Sequence, residues 1–296
     1  MKNELTVKDF FARDEVKSKF EQLLGKKSVG FVTSVLQITS QNALLSKANP
    51  MSIFNASAMA ATLDLPINQN LGFAYIVPYN EKYKDAQGQW QSRCNAQFQI
   101  GWKGLVQLAQ RSGQYIAINV VEVYENQFKS YNALTEELKA DFETDGDGKV
   151  VGYVAYFRLL NGFEKTCYWS IAKVEKHAQK YSKTYANNNS AWKTDFDAMA
   201  KKTVLKNTIS KWGILSIEMQ SAVVADQAII NDVETLDVTY SDAGESTVIE
   251  SKETISDDEL IDVIENIKIG NITLEALQIQ YDVTEEQIKT IQDATV

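Results

Sequence analysis

The sequence predicts an α+β fold because helical and strand patterns occupy separate stretches of the chain. Apolar residues recur with helical spacing before residue 64 and again after residue 170, whereas aromatic and β-branched runs fall between residues 72 and 170. The predicted order is helices, then β-β-α-β, then a β-hairpin, then helices. Such segregation of the two element types is typical of α+β folds.

Three helices are predicted at the N-terminal end of the chain. Helical spacing covers Thr6 to Leu24, Val29 to Leu45 and Pro50 to Leu63. The third helix has the clearest start, because Asn49 can cap it and proline suits the first helical position.

A long hairpin follows these helices. GFAYIVPY (72–79) and SRCNAQFQI (92–100) are predicted strands, and the polar segment NEKYKDAQGQWQ (80–91) is the predicted loop between them. A helix then begins at Gly101 and ends at Ser112 and Gly113, before a further strand over 115–124.

A second hairpin and three helices complete this part of the chain. VVGYVAYFRLL (150–160) and FEKTCYWS (163–170) flank Asn161-Gly162, which is a strong signal for a two-residue hairpin turn. The predicted helices are Ile171 to Ser182, Asp195 to Trp212 with Gly213 as its stop, and Ile217 to Ile230.

The composition shifts after residue 231. An acidic stretch without a helical stripe is typical of a flexible linker. Farther on, Ser256 with Glu259 and Thr284 with Gln287 match capping boxes, which predicts three short helices. We therefore expect three regions: a core over residues 1–231, an acidic linker over 232–253, and a small helical module that docks a partner over 254–296.

Charge is distributed unevenly along the chain. Residues 1–231 contain 27 Lys and Arg against 22 Asp and Glu, a net +5, whereas residues 232–296 contain 3 against 17, a net −14. Between residues 165 and 211, ten lysines face only Glu175, Asp195 and Asp197: Lys165, Lys173, Lys176, Lys180, Lys183, Lys193, Lys201, Lys202, Lys206 and Lys211. This density suits a polyanion, although lysine-rich helical faces are also common as plain solvated surface.

Composition favours a soluble globular protein. The chain has 296 residues with 44% hydrophobic content, and no apolar run approaches the roughly 18–20 residues that span a bilayer. The start MKNELTVKDFF carries charges where a secretory signal would be apolar. We expect a cytoplasmic protein with no membrane partner.

Signals for catalysis are weak. Cys94 and Cys167 lack metal-site spacing, and His177 has no evident nucleophile nearby and is interpreted as a surface residue. GKKS at 25–28 lacks the first glycine of a phosphate-binding loop, and DGDGK at 145–149 lacks the final Glu of a calcium loop. We expect no enzyme activity, no cofactor and no metal.

The segment FQIGWKGLVQLAQRSG (98–113) presents two faces when it is written as a helix. An apolar stripe that we assign to the core contains Trp102, Leu105, Val106 and Ala109. A polar and cationic face contains Lys103, Gln107 and Arg111, which recur every four residues.

Three motifs in one order resemble a known family. GFAYIVPY, CNAQFQIGWKGLVQLAQRSG and DFDAMAKKTVLKNTISKWG, with NPMSIFNASAMAATLDL upstream, resemble the RecT family of phage and prophage single-strand annealing proteins. The resemblance covers roughly Lys27 to Asp226. It implies ATP-independent annealing, assembly into rings or helical filaments, a partner exonuclease, and a variable C-terminal module that binds partners.

A backbone-gripping groove would suit annealing, because the bases must stay available for pairing. Lys103 and Arg111 form one bank of this predicted groove, and Lys202 and Lys206 share a helical face in the second. The full set of predicted DNA-binding residues is Arg93, Lys103, Gln107, Arg111, Lys193, Lys201, Lys202 and Lys206.

The long hairpin carries a separate hypothesis. Tyr83 and Trp90 could stack on bases or wedge between them, or the loop could pack on a neighbouring subunit, because aromatic residues are enriched in both settings.

Three functions therefore stay open. The first, which the resemblance implies, is an annealing protein that binds single-stranded DNA and the annealed duplex intermediate as a homo-oligomer, with a partner exonuclease and the host single-strand-binding protein at its C-terminal module. The second is a non-catalytic self-assembling adaptor. The third is a metal-dependent nuclease, which would need clustered carboxylates.

Overall fold

The computed structural model describes residues 6–84, 89–182, 184–188 and 190–240, together with residues 253, 254, 264, 281, 282, 287 and 290. The chain divides into two compact units, Met1–Gly244 and Glu245–Val296. Within the described residues, no helix combines the length and the apolar character needed to cross a membrane. Helices and small antiparallel sheets occupy separate regions, which confirms the predicted α+β class.

Four helices form the N-terminal part: α1 Val7–Phe11, α2 Asp14–Leu24, α3 Ser28–Gln41 and α4 Pro50–Thr62. The single helix predicted over Thr6 to Leu24 is broken, because Arg13 takes an extended conformation. Asn49 caps α4 as predicted, since its side chain accepts a hydrogen bond of 3.0 Å from the backbone N–H of Met51. Phe11, Phe20 and Phe54 pack ring against ring between these helices.

The first hairpin consists of β1 Ala74–Lys84 and β2 Trp90–Ile100. Its antiparallel register runs from Ala74 opposite Ile100 to Lys84 opposite Trp90. Most of the predicted loop over 80–91 is therefore strand. The polar residues here suit a two-stranded ladder, since no third strand among the described residues pairs with it.

The main sheet has three antiparallel strands, and a small hairpin stands beside it. Strands β3 Tyr115–Tyr124, β6 Val150–Leu159 and β7 Glu164–Ser170 pair in the order β3-β6-β7. The turn between β6 and β7 is one residue longer than the predicted two-residue turn, because the N–H of Leu159 donates to the carbonyl oxygen of Phe163 and leaves residues 160–162 between them. Gly162 closes this turn with φ of 86°. The prediction missed the hairpin of β4 Phe128–Asn132 and β5 Glu137–Ala140.

The helices that follow in the first unit are α5 Trp102–Arg111, α6 Ile171–Tyr181, α7 Ala191–Thr194, α8 Phe196–Trp212 and α9 Ile217–Ala225. Helix α8 crosses all three strands, α6 packs beside it on β6 and β7, and α5 packs beside it on β3. The three helices are therefore arranged as α6, α8 and α5 across one face of the sheet.

The helix predicted over Ile217 to Ile230 is too long. It ends at Ala225, and Ile229–Asp232 (β8) pairs with Asp237–Thr239 (β9), so the first residues of the predicted linker belong to a hairpin. In the second unit, Glu253–Thr254 (β10) pairs in parallel with Tyr281–Asp282 (β11). Most of the helical module predicted over 254–296 lies outside the described residues.

Candidate nucleic-acid interface

Helix α5 has the two faces that the sequence predicts, with a shifted boundary. Its buried residues are Gly104, Leu105, Leu108 and Ala109. Trp102 and Val106, which the sequence predicts to be core residues, are half-buried and pack against the margin of the core. Leu108 is buried in addition to the predicted stripe, and α8 and α9 both pack on α5.

Two glycines let α5 lie directly against the chain that leads into β1. A Cβ atom added at Gly104 would lie 2.2 Å from the carbonyl oxygen of Phe73, and one added at Gly101 would lie 2.1 Å from that of Gly72. The backbone N–H of Gly101 donates to the carbonyl oxygen of Phe73 over 2.8 Å. The GWKG motif thus fixes the position of α5 relative to the first hairpin.

The cationic face of α5 has exposed ends and a half-buried centre. Lys103 and Arg111 are exposed, and eight residues of helical rise place them about 12 Å apart along the axis. The Arg111 guanidinium donates to the carbonyl oxygen of Leu63 over 2.8 Å, so it is held in place. The buried Oε1 atom of Gln107 accepts no hydrogen bond from the described part of the chain.

A tryptophan at the start of α5 is flanked by two ammonium groups. The Lys103 Nζ atom lies 5.8 Å from the ring centroid of Trp102, and the Lys201 Nζ atom lies 5.6 Å from it. Lys201 also forms an ion pair of 2.5 Å with Glu122 of β3. We refer to Trp102, Lys103, Lys201 and Glu122 as the Trp102 cluster, and only its lysines were predicted as site residues.

Lys202 and Lys206 bind a carboxylate inside the protein. The Lys202 Nζ atom lies 2.8 Å from Oδ1 of Asp226, and the Lys206 Nζ atom lies 2.6 Å from Oδ2. The same Oδ1 atom accepts a hydrogen bond of 3.1 Å from the backbone N–H of Ile100. We refer to Asp226, Lys202 and Lys206 as the Asp226 triad.

Burial decides the role of this triad. The side chains of Asp226 and Lys202 are 1% and 7% exposed, whereas that of Lys206 is 28% exposed. Burial acts to raise the pKa of Asp226, but the two ammonium groups hold that pKa below its usual value, so the carboxylate is ionised. The expectation that Lys202 contacts DNA is therefore corrected: its ammonium group is enclosed and paired with Asp226.

The sequence prediction missed Asp226 and Glu122. Each is the one acidic residue in an apolar stretch, Asp226 after the run SAVVA and Glu122 within VVEVY. A charge in such a setting is seldom buried without a partner, which is the signal that could have revealed both ion pairs.

The remaining predicted residues lie away from α5. Arg93 is exposed on β2, where its backbone stands opposite Glu81. Lys193 is exposed on α7, with its Nζ atom 4.8 Å from the ring centroid of Tyr185. Trp90 is 68% exposed at the end of the first hairpin. Tyr83 stands opposite Gln91 in the ladder, and its side chain is outside the described residues.

His177 is half-buried, which corrects its interpretation as a surface residue. Its ring centroid lies 5.3 Å from that of Trp169 and 4.6 Å from that of Tyr181. Burial, then the charges of Lys180 and Lys206, lower the pKa of His177. Within the described ranges, no group of three or more His, Cys, Asp or Glu residues could hold a metal ion.

Comparison with known proteins gives a consistent family match. The family model described as "RecT family" matches residues 30–239. The uncharacterized protein YqaK of Bacillus subtilis (strain 168) is 44% identical over 253 residues, which cover 86% of this chain and 82% of that protein. Protein RecT of Escherichia coli (strain K12) is 30% identical over 210 residues, which cover 71% of this chain and 74% of that protein.

Proposed function

Because the chain belongs to the RecT family, whose members are single-strand annealing proteins of DNA recombination, we propose that it pairs complementary strands without ATP and without catalysing a reaction. The observation that carries the proposal beyond the family is the exposed cationic face of α5. Lys103 and Arg111 are available to phosphates there, beside a tryptophan that two lysines flank.

The chemistry of this face suits a strand that must still form base pairs. Ammonium and guanidinium groups bind phosphates regardless of sequence, which leaves the Watson–Crick edges of the bases free. Arg111 has spare N–H donors after its bond to Leu63. Half-buried Trp102 offers part of its ring for stacking on a base.

We propose a revised set of DNA-contacting residues. Lys103, Gln107 and Arg111 form its centre, because they share the cationic face of α5. Lys201 lies beside Trp102 but is 19% exposed and paired with Glu122, so it contributes only its exposed part. Arg93 and Lys193 contribute at its flanks, and Lys206 contributes only its partly exposed side. Lys202 is left out, since its ammonium group is enclosed in the interior and paired with Asp226.

We propose that the affinity for DNA comes from many weak phosphate contacts, added over the subunits of an assembly. Family membership implies oligomerisation, and we propose rings or helical filaments that carry the strand from one subunit to the next, so that modest contacts add up. The first hairpin, with Tyr83 and Trp90, either stacks on bases or contacts the neighbouring subunit. The exposure of Trp90 is compatible with both roles.

The C-terminal unit has a separate role in this proposal. Residues 1–231 anneal DNA and assemble, residues 232–253 link, and residues 254–296 bind the partner exonuclease and the host single-strand-binding protein. The support is the separation of Glu245–Val296 as its own compact unit and the acidic character of this end of the chain. We place the reaction in the cytoplasm, where the DNA substrate would be found.

Loss of the cationic face should weaken DNA binding at all sequences alike. We expect Lys103→Ala/Arg111→Ala to bind oligonucleotides more weakly and to lower the slope of log affinity against log salt by about 0.7 per lost contact, hence by up to about 1.4. Affinity measured by fluorescence anisotropy between 50 and 300 mM salt, roughly the range in which such slopes are read, checks this.

Lys129→Ala/Lys139→Ala is the matched control, because both lysines are about two-thirds exposed on the β4–β5 hairpin. It removes the same charge from another place and should keep the wild-type slope. An unchanged slope in the α5 variant, with an unchanged circular dichroism spectrum, would remove this face from the site.

Two complementary fluorescent oligonucleotides mixed with protein test the proposed function itself. Faster duplex formation would support annealing, fragments on a denaturing gel would indicate a nuclease, and neither result would indicate an adaptor.

Removal of residues 245–296 should separate annealing from partner binding. We expect the shortened chain to anneal bare oligonucleotides at a rate within about twofold of the full chain, because the charges of α5 and α8 remain. On strands coated with single-strand-binding protein, the shortened chain should anneal much more slowly than the full chain, since it lacks the docking unit. Stopped-flow annealing with both substrates checks this, and loss on bare strands would mean that the unit takes part in assembly.

A further inference from the structure

Helix α6 carries a second cationic face that the α5 site does not use. Lys173, Lys176 and Lys180 are all exposed and follow the spacing i, i+3 and i+7, which places them on one side of the helix. At a rise of about 1.5 Å per residue, they cover roughly 10 Å of its length. Val174 and Ala178 face the core on the other side.

Close ion pairs do not account for these lysines. The pKa of Glu136 is lowered first by its hydrogen bond from Lys165, and the charge of Lys173 is only a weaker, longer-range cause. No carboxylate of the described part of the chain lies within 4.0 Å of any of the three ammonium groups. Lys173 lies in the first turn, where the helix dipole disfavours a cation, and like charges at i+3 and i+4 destabilise a helix. The face therefore carries an electrostatic cost that a bound polyanion would remove.

Aromatic rings border the lysines and hold two of them. The Lys173 Nζ atom lies 4.4 Å from the ring centroid of Trp169, and the Lys180 Nζ atom lies 4.9 Å from that of Tyr181. Trp169 is buried, whereas Tyr181 is 55% exposed. An exposed ring beside a row of cations is the combination that binds single-stranded nucleic acid through stacking and phosphate contacts.

The position of α6 makes this face distinct from α5. Helix α8 lies between them, so two helix spacings of 8–10 Å separate their axes by roughly 16–20 Å. A run of phosphates along α5 therefore leaves α6 unoccupied. Annealing requires one protein assembly to bring together two strands, and the chain offers two separate cationic helices.

We propose that the solvent face of α6, formed by Lys173, Lys176, Lys180 and Tyr181, captures the second DNA strand while α5 holds the first. This inference rests on the proposed annealing function and adds a second binding surface to it. The ligand is a single-stranded polynucleotide that is bound through its phosphates, with Tyr181 stacking on a base.

The kinetic test uses the full-length variant Lys173→Ala/Lys176→Ala/Lys180→Ala. Protein is first loaded with one labelled strand in limiting amount, and the complementary strand is then added in a stopped-flow instrument. We expect first-strand affinity within about twofold of wild type, and an annealing rate whose dependence on log salt is weaker by up to about 2, from three lost contacts of about 0.7 each.

Two control variants test whether the effect is specific to the positive charge on α6. Lys17→Ala/Lys129→Ala/Lys139→Ala removes the same charge from side chains that are more than half exposed, and it should anneal like wild type. Replacement of the three α6 lysines by Arg should restore the salt dependence. An α6 variant that anneals like wild type, or that loses first-strand affinity in parallel, would overturn a separate second-strand surface.

The only histidine of the chain provides a direct readout of binding. His177 lies on α6 between Trp169 and Tyr181, and the cations that face it are Lys180 on α6 and Lys206 on α8. Phosphates bound at Lys173 and Lys180 would offset that positive charge and raise the pKa of His177. NMR of 13C-labelled histidine follows this pKa without DNA, with limiting strand and with excess strand.

We expect the pKa of His177 to rise only with excess strand, and to stay unchanged in the α6 variant. This measurement requires no annealing, so it tests the α6 surface separately from the proposed annealing function. If annealing fails while the pKa still rises, the proposed function is wrong and the surface is right. An unchanged pKa of His177 at saturating DNA would overturn the proposed α6 surface. A pKa of His177 that changes when residues 245–296 are removed, but not when DNA is added, would also overturn it and would indicate that an acidic protein segment occupies the surface.

Discussion

Asp226→Ala is expected to lower the free energy of unfolding of the first unit by about 3–5 kcal/mol, because it leaves the enclosed ammonium group of Lys202 without a counter-ion. The carboxylate also accepts a hydrogen bond from Ile100, so the change removes a link between β2, α8 and the end of α9. Urea denaturation followed by tryptophan fluorescence measures this, since all five tryptophans precede residue 213.

Two companion variants test the cause. Asp226→Leu/Lys202→Met/Lys206→Met removes all three charges together and should recover most of the lost stability, because a well-packed apolar replacement of a buried ion pair is often neutral. Lys202→Met alone should leave the salt dependence of DNA binding at the wild-type value, unlike Lys103→Ala. A cost below about 0.5 kcal/mol for Asp226→Ala would mean that the triad is hydrated and contributes little.

The Asp226 triad also marks the limit of what the sequence could predict. Helix α8 was predicted nearly to its ends, because Asp195 caps it and its periodicity extends to Trp212. Which of its lysines reach solvent depends on residues far along the chain: Glu122 is paired with Lys201, and Asp226 with Lys202 and Lys206. Local patterns place a lysine on a helical face, and only tertiary packing decides whether that face is covered.

The first hairpin shows the same limit for strands. The polar segment over 80–91 has the composition of a loop, yet its residues continue the ladder as far as Lys84 opposite Trp90. An antiparallel pair needs only backbone hydrogen bonds to continue, so a segment with the composition of a loop can extend the ladder. The end of α9 was missed for the opposite reason, since the apolar pair Ile229 and Ile230 fits a buried strand as well as a helix.

Gly104→Ala is expected to destabilise the first unit by about 1–3 kcal/mol, the usual range for overpacking a filled interior. An exposed glycine inside a helix normally gains stability when it is replaced by alanine. At this position the new methyl group would lie 2.2 Å from the carbonyl oxygen of Phe73 and 2.8 Å from the side chain of Ile100. The backbone cannot yield without moving α5, so the variant should also bind single-stranded DNA more weakly.

Gly30→Ala is the matched control, because Gly30 lies within α3 and an added Cβ atom would meet no heavy atom within 4 Å. It should be neutral or stabilising by up to about 1 kcal/mol, with unchanged DNA affinity. The two substitutions therefore have opposite expected signs for one chemical change, and urea denaturation measures both. If Gly104→Ala follows Gly30→Ala, α5 does not lie pressed against the chain at Phe73, and its position cannot be what presents Lys103 and Arg111 to DNA.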